Sequence, residues 1–209
     1  MRKLILLLLV LIGCTSKKNT EIKINSVSFS YTILKGLEPE NGVIRRDPSD
    51  VIKMGDTYYL WYTKTEIAEF GYSGYNASIW YASSKDGETW EEKGEAIPRG
   101  NTGSWDTYSV FTPNIIVAKG KYYLFYTGVK PTPGNQEGKF ENNSETDITA
   151  IGLTVSDSPD GPFVRVSSKP TLEISDSIDH FDSYRIDDAC MVYRNNKYYL
   201  YYKGRSRKY

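Results

Sequence analysis

The sequence predicts an all-β fold, because three observations favour short strands and none favours a long helix. Strand-like segments recur along the chain, and each is bounded by Gly, Asn, Asp or Pro. A tyrosine-rich strand occurs three times, beginning at Tyr58, Tyr122 and Tyr198, so the repeats lie roughly 64 to 76 residues apart. In the first two repeats an Asp-Gly turn follows, at Gly87 and Gly161, and such turns typically join antiparallel strands.

The repeated unit is predicted to contain four antiparallel strands. The first unit spans about residues 47–95 and the second about 110–168, while the third begins near residue 186 and holds two strands. Units of this size and spacing are typical of β-propeller blades. A sandwich of short strands is the competing fold, but it does not explain why the same strand pair recurs with the same turn chemistry. We therefore expect about two and a half propeller blades. An open ring exposes an edge strand, so we also expect a C-terminally truncated product.

The first residues predict a signal peptide of the lipoprotein type. A basic start precedes a short apolar run, and residues 11–14 read LIGC, which resembles a bacterial lipobox. Cleavage would leave Cys14 as a lipid-carrying terminus, whereas a plain secretory signal is the alternative. The predicted organisation is a signal peptide at 1–13, a lipidated tether and lead-in at 14–42, and a partial propeller domain at 43–209. The protein is expected to be exported and anchored to a bacterial membrane, on its periplasmic or cell-surface face.

The amino-acid composition limits the classes of molecule that the protein is expected to bind. The chain has 26 basic and 26 acidic residues, so its net charge of +0 does not favour nucleic acid. Its 18 tyrosines and 4 tryptophans offer flat apolar faces that suit sugar rings, although most are expected to pack between sheets. Cys190 lies in an apolar strand and is expected to be buried. No metal-ligand spacing is present, so no cofactor is predicted; a structural cation on a propeller axis is conceivable but not indicated.

Two aspartates stand at the same distance from a tyrosine pair. Asp47 and Asp187 each precede the pair of their own repeat by 11 residues. In a radial arrangement, equivalent positions face each other across one axis, and two opposed carboxylates are what glycoside hydrolysis requires. Thr112 precedes its tyrosine pair by 10 residues, and alignment through it puts Asp188 in place of Asp187. Asp188 is therefore kept as the alternative.

The chain also resembles a known class of enzymes. It is similar to the five-bladed propeller glycoside hydrolases of family 43 and, more closely, to family 117 and its relatives, which act on algal galactans. The resemblance covers about residues 43–205 and rests on the segments RDPSDVI, SIWYASSKDGETW, FTPNIIVAKGKYYLFYT and RIDDACMVYRNNKYYLYYKGR. It implies that Asp47 is the general base and that Asp187, or Asp188, tunes the pKa of the general acid. The acid itself is expected beyond residue 209.

Residues near the predicted mouth of the propeller are candidates for sugar contacts. The loops before the second and third inner strands both carry an aromatic-Asp pair. The predicted substrate-binding residues are Arg46, Trp105, Asp106, Thr112, His180, Asp182 and Arg185. Neighbouring arginines are expected to keep Asp47 charged, because a nearby cation lowers a carboxyl pKa. Asp50 is expected to face away from Asp47 and to be structural.

These inferences predict an inverting, exo-acting glycoside hydrolase with a galactan- or arabinan-type substrate. The truncated chain is expected to lack its general acid and to be inactive if that acid is not supplied. A non-catalytic surface glycan-binding lipoprotein is the alternative, and a non-functional remnant is a third reading.

Overall fold

The computed structural model of the chain describes residues 31–66, 76–135 and 145–208. In these ranges no helix is long and apolar enough to cross a membrane. The predicted signal peptide and the predicted lipid site at Cys14 lie outside the described residues.

The chain divides into two units, Met1–Tyr31 and Thr32–Tyr209, and all the strands described below belong to the second unit. They are β1 (Ile44–Arg46), β2 (Ile52–Met54), β3 (Thr57–Thr65), β4 (Ser78–Ser84), β5 (Trp90–Ile97), β6 (Ser109–Ala118), β7 (Lys121–Pro131), β8 (Asp147–Ser156), β9 (Val164–Arg165), β10 (Arg185–Arg194) and β11 (Lys197–Arg205).

The strands form three antiparallel sheets, which we call the first, second and third blades. In the first blade, β1 and β2 are two halves of one innermost strand, because β1 pairs with the end of β3 and β2 with its beginning. From there the order is β3-β4-β5. The second blade is β6-β7-β8-β9, and the third contains β10 and β11. The chain therefore has the predicted β-propeller type of fold, with two four-stranded blades and half of a third.

The tyrosine-rich strands contribute to the packing between neighbouring blades. Successive side chains of a strand point to opposite faces of its sheet, so one strand can enter the cores on both sides of its blade. Trp61 on β3 is fully buried and packs edge-on against Phe163 of the second blade, with ring centroids 5.9 Å apart. On β7, Leu124 belongs to the core shared with the first blade, whereas Phe125 belongs to the core shared with the third. One strand thus joins both interfaces of the second blade.

The Asp-Gly turns form as the sequence predicts. Gly87 has a φ of 80° and Gly161 a φ of 85°, a region that glycine enters without steric cost. The side chain of Asp86 accepts hydrogen bonds from the backbone N–H groups of Glu88, at 2.8 Å, and Thr89, at 2.7 Å. These backbone hydrogen bonds lower the pKa of Asp86 to about 2.

The third blade leaves one face open in the described part of the chain. Val192, Tyr199 and Tyr201 are exposed there, Tyr201 to 61%. Cys190 is exposed as well, so the prediction of a buried cysteine is wrong. Its neighbour Ala189 packs into the core between the second and third blades, and successive residues of a strand point to opposite faces.

Candidate active site

The innermost strand of each blade is interrupted at one equivalent point. The interruption carries a residue with positive φ: Asp47 at 51°, Thr112 at 50° and Asp188 at 55°. Asp is among the residues that tolerate this region, whereas a β-branched Thr is an outlier there. Such a conformation costs of order 1–3 kcal/mol, so the surrounding structure must hold it. We call these three places the bulges.

The strand register shows which residues are equivalent. The residue just before each bulge pairs with the fifth residue after the first tyrosine of the neighbouring strand. These pairs are Arg46 with Thr63, Phe111 with Thr127, and Asp187 with Lys203. Asp188, not Asp187, is therefore the structural counterpart of Asp47. Counting back from the tyrosines misleads because the first repeat contains one more residue between its bulge and its tyrosine pair.

The three bulges converge on one cleft of about 310 Å³. Residues 47–50 of the first blade, 112–114 of the second and 188–189 of the third line it. The carboxyl groups of Asp47 and Asp188 thus reach the same space from two different blades. This is the arrangement that the radial repeat predicts, with Asp188 in the third-blade position.

The second and third bulges are each hydrogen-bonded to the tyrosine-rich strand of the preceding blade. The Thr112 N–H donates to Thr63 Oγ1 at 3.0 Å, and the Asp188 N–H donates to Thr127 Oγ1 at 3.3 Å. The hydroxyl groups of Thr112 and Thr127 also lie 2.6 Å apart. The two contacts between blades, together with the threonine pair within the second blade, hold Thr112 and Asp188 in their positive-φ conformations.

Asp47 is partly buried, and its ionisation is set by competing neighbours. Its Oδ2 lies 2.7 Å from Arg46 Nη1, and Thr63 also hydrogen-bonds to its side chain. Burial raises the pKa of Asp47 and is the largest effect; Arg46 lowers it, Asp188 raises it, and Lys203 lowers it. The net pKa is raised. Arg46 thus lowers the pKa in the expected direction, but the cost of desolvating the carboxylate is the larger effect.

Asp50 lies in the same cleft and accepts a hydrogen bond from Asn114 Nδ2 at 3.3 Å. The expectation that it faces away from Asp47 assumed regular strand alternation, which the bulge interrupts. Asn114 Oδ1 also accepts from the Met191 backbone N–H at 2.8 Å. One side chain therefore connects all three blades beside the cleft.

Asp187 does not line the cleft. It is 3% exposed, with Oδ2 3.0 Å from Arg185 Nε and Oδ1 2.9 Å from Lys203 Nζ. Arg185 is buried as well and also pairs with Asp147, which has no exposed surface. Lys203 contacts Asp188 too. Asp187 thus belongs to a buried ionic network behind the bulge, and Arg185 is part of that network rather than of the cleft lining.

The aromatic-Asp pair of the second blade packs against the tyrosine-rich strand and does not line the cleft. Trp105 stacks on Tyr126 with ring centroids 5.6 Å apart, and the Tyr126 hydroxyl donates to Asp106 Oδ2 at 3.0 Å. Asp106 is 1% exposed and also accepts from Arg165 Nε at 2.8 Å. A Cβ atom on Gly128 would lie 2.2 Å from the Trp105 ring, so this glycine makes room for the tryptophan.

The third blade repeats this arrangement. Phe181 packs on Tyr202 with centroids 5.5 Å apart, and the Tyr202 hydroxyl donates to Asp182 Oδ2 at 2.7 Å. Burial and this hydrogen bond raise the pKa of Tyr202 to about 12. A Cβ atom on Gly204 would lie 2.6 Å from the Phe181 ring. We call these two contacts the aromatic straps, since each ties the loop before an inner strand to the neighbouring tyrosine-rich strand.

The structure therefore separates the predicted site residues into two groups. Those at the cleft or beside it are Asp47, Arg46, Thr112 and Asp188. Those outside its lining are Trp105, Asp106, His180, Asp182, Arg185 and Asp187. His180 is exposed, with Nδ1 2.8 Å from Ser175 Oγ. Within the described ranges, no group of three or more His, Cys, Asp or Glu side chains is arranged to hold a metal ion.

Sequence reasoning missed Lys203 and the position of Asp50. A signal for Lys203 was present, because the first two tyrosine-rich strands read YYLWYT and YYLFYT, whereas the third reads YYLYYK. Asp50 carried no comparable signal, since its direction depends on a bulge that the sequence did not predict.

Comparison with known proteins identifies the family and agrees with the fold. Residues 40–208 match the family described as "Glycosyl hydrolases family 43". Zg3597, a family 117 glycoside hydrolase from the marine bacterium Zobellia galactanivorans, is 31% identical, with a TM-score of 0.68 over 83% of this chain and 52% of that one. An endo-arabinase from Bacteroides thetaiotaomicron is 21% identical, with a TM-score of 0.52 over 83% of this chain and 48% of that one.

The chain thus spans about half the length of these solved structures. No curated protein sequence matches it. The family match extends over most of the chain and includes all three bulges, and on this basis the chain belongs to glycosyl hydrolase family 43.

Proposed function

We propose that this protein hydrolyses glycosidic bonds, with Asp47 as general base and Asp188 as the carboxylate that tunes the general acid. The observation that carries the proposal is the convergence of two bulges on one cleft, each presenting an aspartate from a different blade. Asp188 is preferred to Asp187 for the second role, because Asp187 is enclosed by Arg185 and Lys203.

The chemistry proposed for Asp47 is proton abstraction from a water molecule that attacks the anomeric carbon. Inversion requires base and acid carboxyl groups roughly 6.5–9.5 Å apart, which leaves room for that water. A base works best when its pKa is not far below the working pH, and the raised pKa of Asp47 is in that direction. The proton for the departing oxygen comes from a separate acid, whose pKa a charged Asp188 would raise.

For the substrate we propose a galactan- or arabinan-type glycan, cleaved in an exo manner. The support is the resemblance to family 117 and the 31% identity with a member of that family from a marine bacterium. The endo-arabinase among the structural neighbours supports the same class of folds but not a mode of attack. We further propose that the lipobox-like start anchors the protein to a membrane through Cys14.

The test is hydrolysis of galactan and arabinan oligosaccharides by purified protein that includes the segment proposed to supply the general acid, with products followed by chromatography and the anomeric configuration followed by NMR. We expect monosaccharide release with inversion for the wild type and a loss of about 10²- to 10⁴-fold for Asp47→Asn. Asp56→Asn is the matched control, because Asp56 is an exposed turn residue of the same blade.

Binding of these oligosaccharides without cleavage, equally tight in the wild type and Asp47→Asn, would contradict the catalytic proposal. That result would favour the alternative of a non-catalytic glycan-binding lipoprotein, in which the carboxylates of the cleft are dispensable.

A further inference from the structure

Lys203 occupies a position that holds threonine in the other two blades. The register aligns it with Thr63 and Thr127, each of which pairs with the residue just before a bulge. The two threonines use their hydroxyl groups to accept hydrogen bonds from the bulge of the next blade. An ammonium group can only donate, so Lys203 cannot make that contact.

The ammonium group of the lysine pairs with carboxylates at the bulge of its own blade. Its Nζ lies 2.9 Å from Asp187 Oδ1 and also pairs with Asp188 Oδ2. One cation therefore bridges two successive carboxylates, one buried behind the bulge and one at the cleft. Burial lowers the pKa of Lys203, but the hydrogen bonds that its ammonium group donates to Asp188 and Asp187, together with their negative charges, exceed this effect and leave the pKa raised, so the side chain stays positively charged.

The other oxygen of Asp187 is held from behind. Arg185 Nε lies 3.0 Å from Asp187 Oδ2, and the same guanidinium pairs with the fully buried Asp147. Positive and negative charges alternate along this ionic network, which runs in the order Asp147, Arg185, Asp187, Lys203 and Asp188. Because the first three members are almost fully buried, Asp187 offers Lys203 a fixed partner, and Lys203 in turn restricts where Asp188 can lie.

Asp47 is affected by the same cation from across the cleft. The charged groups that act on Asp47 are Arg46 from its own strand and Asp188 and Lys203 from the third blade. Asp50 is the remaining carboxyl group that lines the cleft. Asp188 makes ionised Asp47 less favourable, and Lys203 makes it more favourable, so the two act in opposite directions on one base.

We propose that Lys203 is a positioning residue of this cleft: it holds the Asp188 carboxylate and offsets its repulsion of Asp47. This inference rests on the proposed function, since it assigns Lys203 a role in the same site. A threonine at position 203, the residue of the other two blades, would remove the cation that pairs with Asp188.

The test compares Lys203→Thr, which introduces the residue that the other two blades carry, with Lys203→Arg, which keeps the positive charge. Without the cation, the pKa of Asp47 rises, so the acid limb of the pH-rate profile moves to higher pH. We expect kcat to fall by about tenfold at neutral pH and by more at lower pH, with KM changed little. Lys203→Arg should restore most of kcat and the position of the limb.

A second readout does not depend on activity. The carboxyl carbon of Asp47, assigned through Asp47→Asn, is titrated by ¹³C NMR in the wild-type chain and in Lys203→Thr. The proposal expects a higher midpoint in the variant even if no substrate is cleaved, so a failure of the proposed function can be told apart from a failure of this inference. If Lys203→Thr does not fold, Lys203→Gln replaces it, because glutamine is closer to lysine in length.

The proposal is overturned if the Asp47 midpoint is the same in the wild type and the threonine variant. It is also overturned if Lys203→Arg loses as much activity as Lys203→Thr at every pH, since the lysine would then serve only as packing.

Discussion

Two kinds of aspartate lie just before or within the inner strands of this protein, and they occupy opposite environments. Asp106 and Asp182 of the aromatic straps are buried, and each accepts a hydrogen bond from a tyrosine hydroxyl. Asp47 and Asp188 of the bulges line a cleft and reach it from different blades. Both kinds repeat along the sequence. Only the second kind faces a space that a substrate can enter.

This difference helps to decide which repeated residues serve the fold and which serve the chemistry of the cleft. The aromatic straps recur with the same partners, a tyrosine hydroxyl and a glycine two residues later, which is typical of a device that joins strands. The bulges recur in backbone conformation but not in side chain, since the second blade carries Thr112. The fold therefore requires a bulge in each blade but does not require an aspartate there. The carboxylates at two of the three bulges are better explained by a chemical role.

The largest expected effect separates the two aspartates of the third blade. Asp188→Asn should lower kcat by about 10²- to 10³-fold without loss of stability, because it removes a charge from the cleft. Asp187→Asn should instead cost about 3–5 kcal/mol of unfolding free energy, because it leaves Arg185 and Lys203 without their shared carboxylate. Steady-state kinetics and urea unfolding measure the two effects. A stable Asp187→Asn variant with no activity would return Asp187 to the catalytic role.

The second effect concerns the aromatic strap of the second blade. Asp106→Asn should cost about 2–3 kcal/mol of unfolding free energy, because the charge-assisted hydrogen bonds from Tyr126 and Arg165 are weakened. Urea unfolding followed by tryptophan fluorescence measures this loss. Activity per folded molecule should stay near that of the wild type, and a specific loss of sugar binding would contradict the structural role.

A smaller effect is expected from filling the space beneath Trp105. Gly128→Ala should cost about 1–3 kcal/mol, because the added Cβ would lie 2.2 Å from the Trp105 ring. Thermal or urea unfolding measures the cost. The control is the double variant with Trp105→Ala, in which the alanine at position 128 should cost less, although some cost remains because its Cβ would also lie 2.6 Å from Asp106 Cβ. Equal costs of Gly128→Ala with and without the tryptophan would show that the ring does not determine the need for glycine.

The smallest expected effect is a gain in stability when Asp47, the proposed base, is replaced by asparagine, and this gain depends on pH. The raised folded pKa of Asp47 means that the folded state binds its proton more readily than the unfolded state does. The contribution of Asp47 to stability therefore falls as pH rises from its ordinary pKa of 3.8 through the raised folded value. Asp47→Asn should be more stable than the wild type at pH 7, and the gain should vanish below pH 3.8. A gain that grows on acidification would contradict the sign of this pKa shift.

Much of this fold could be predicted from the sequence because strands, Asp-Gly turns and a repeated tyrosine pair are local signals. The convergence of two aspartates on one axis was also predictable, since repeats in a propeller place equivalent positions around it. The choice between Asp187 and Asp188 was not, because it depends on the length of the bulge in the first blade. Whether Trp105 meets solvent depends on Gly128 and Tyr126, which the chain brings beside it only on folding.

The most direct test of the account measures Asp47→Asn and Asp106→Asn side by side, for both kcat/KM on a cleaved oligosaccharide and unfolding free energy in urea. We expect opposite outcomes: Asp47→Asn loses about 10²- to 10⁴-fold in activity and is at least as stable as the wild type, whereas Asp106→Asn loses stability and keeps its activity per folded molecule. If Asp47→Asn remains fully active, or if Asp106→Asn is stable but inactive, the assignment of the cleft as the active site is contradicted.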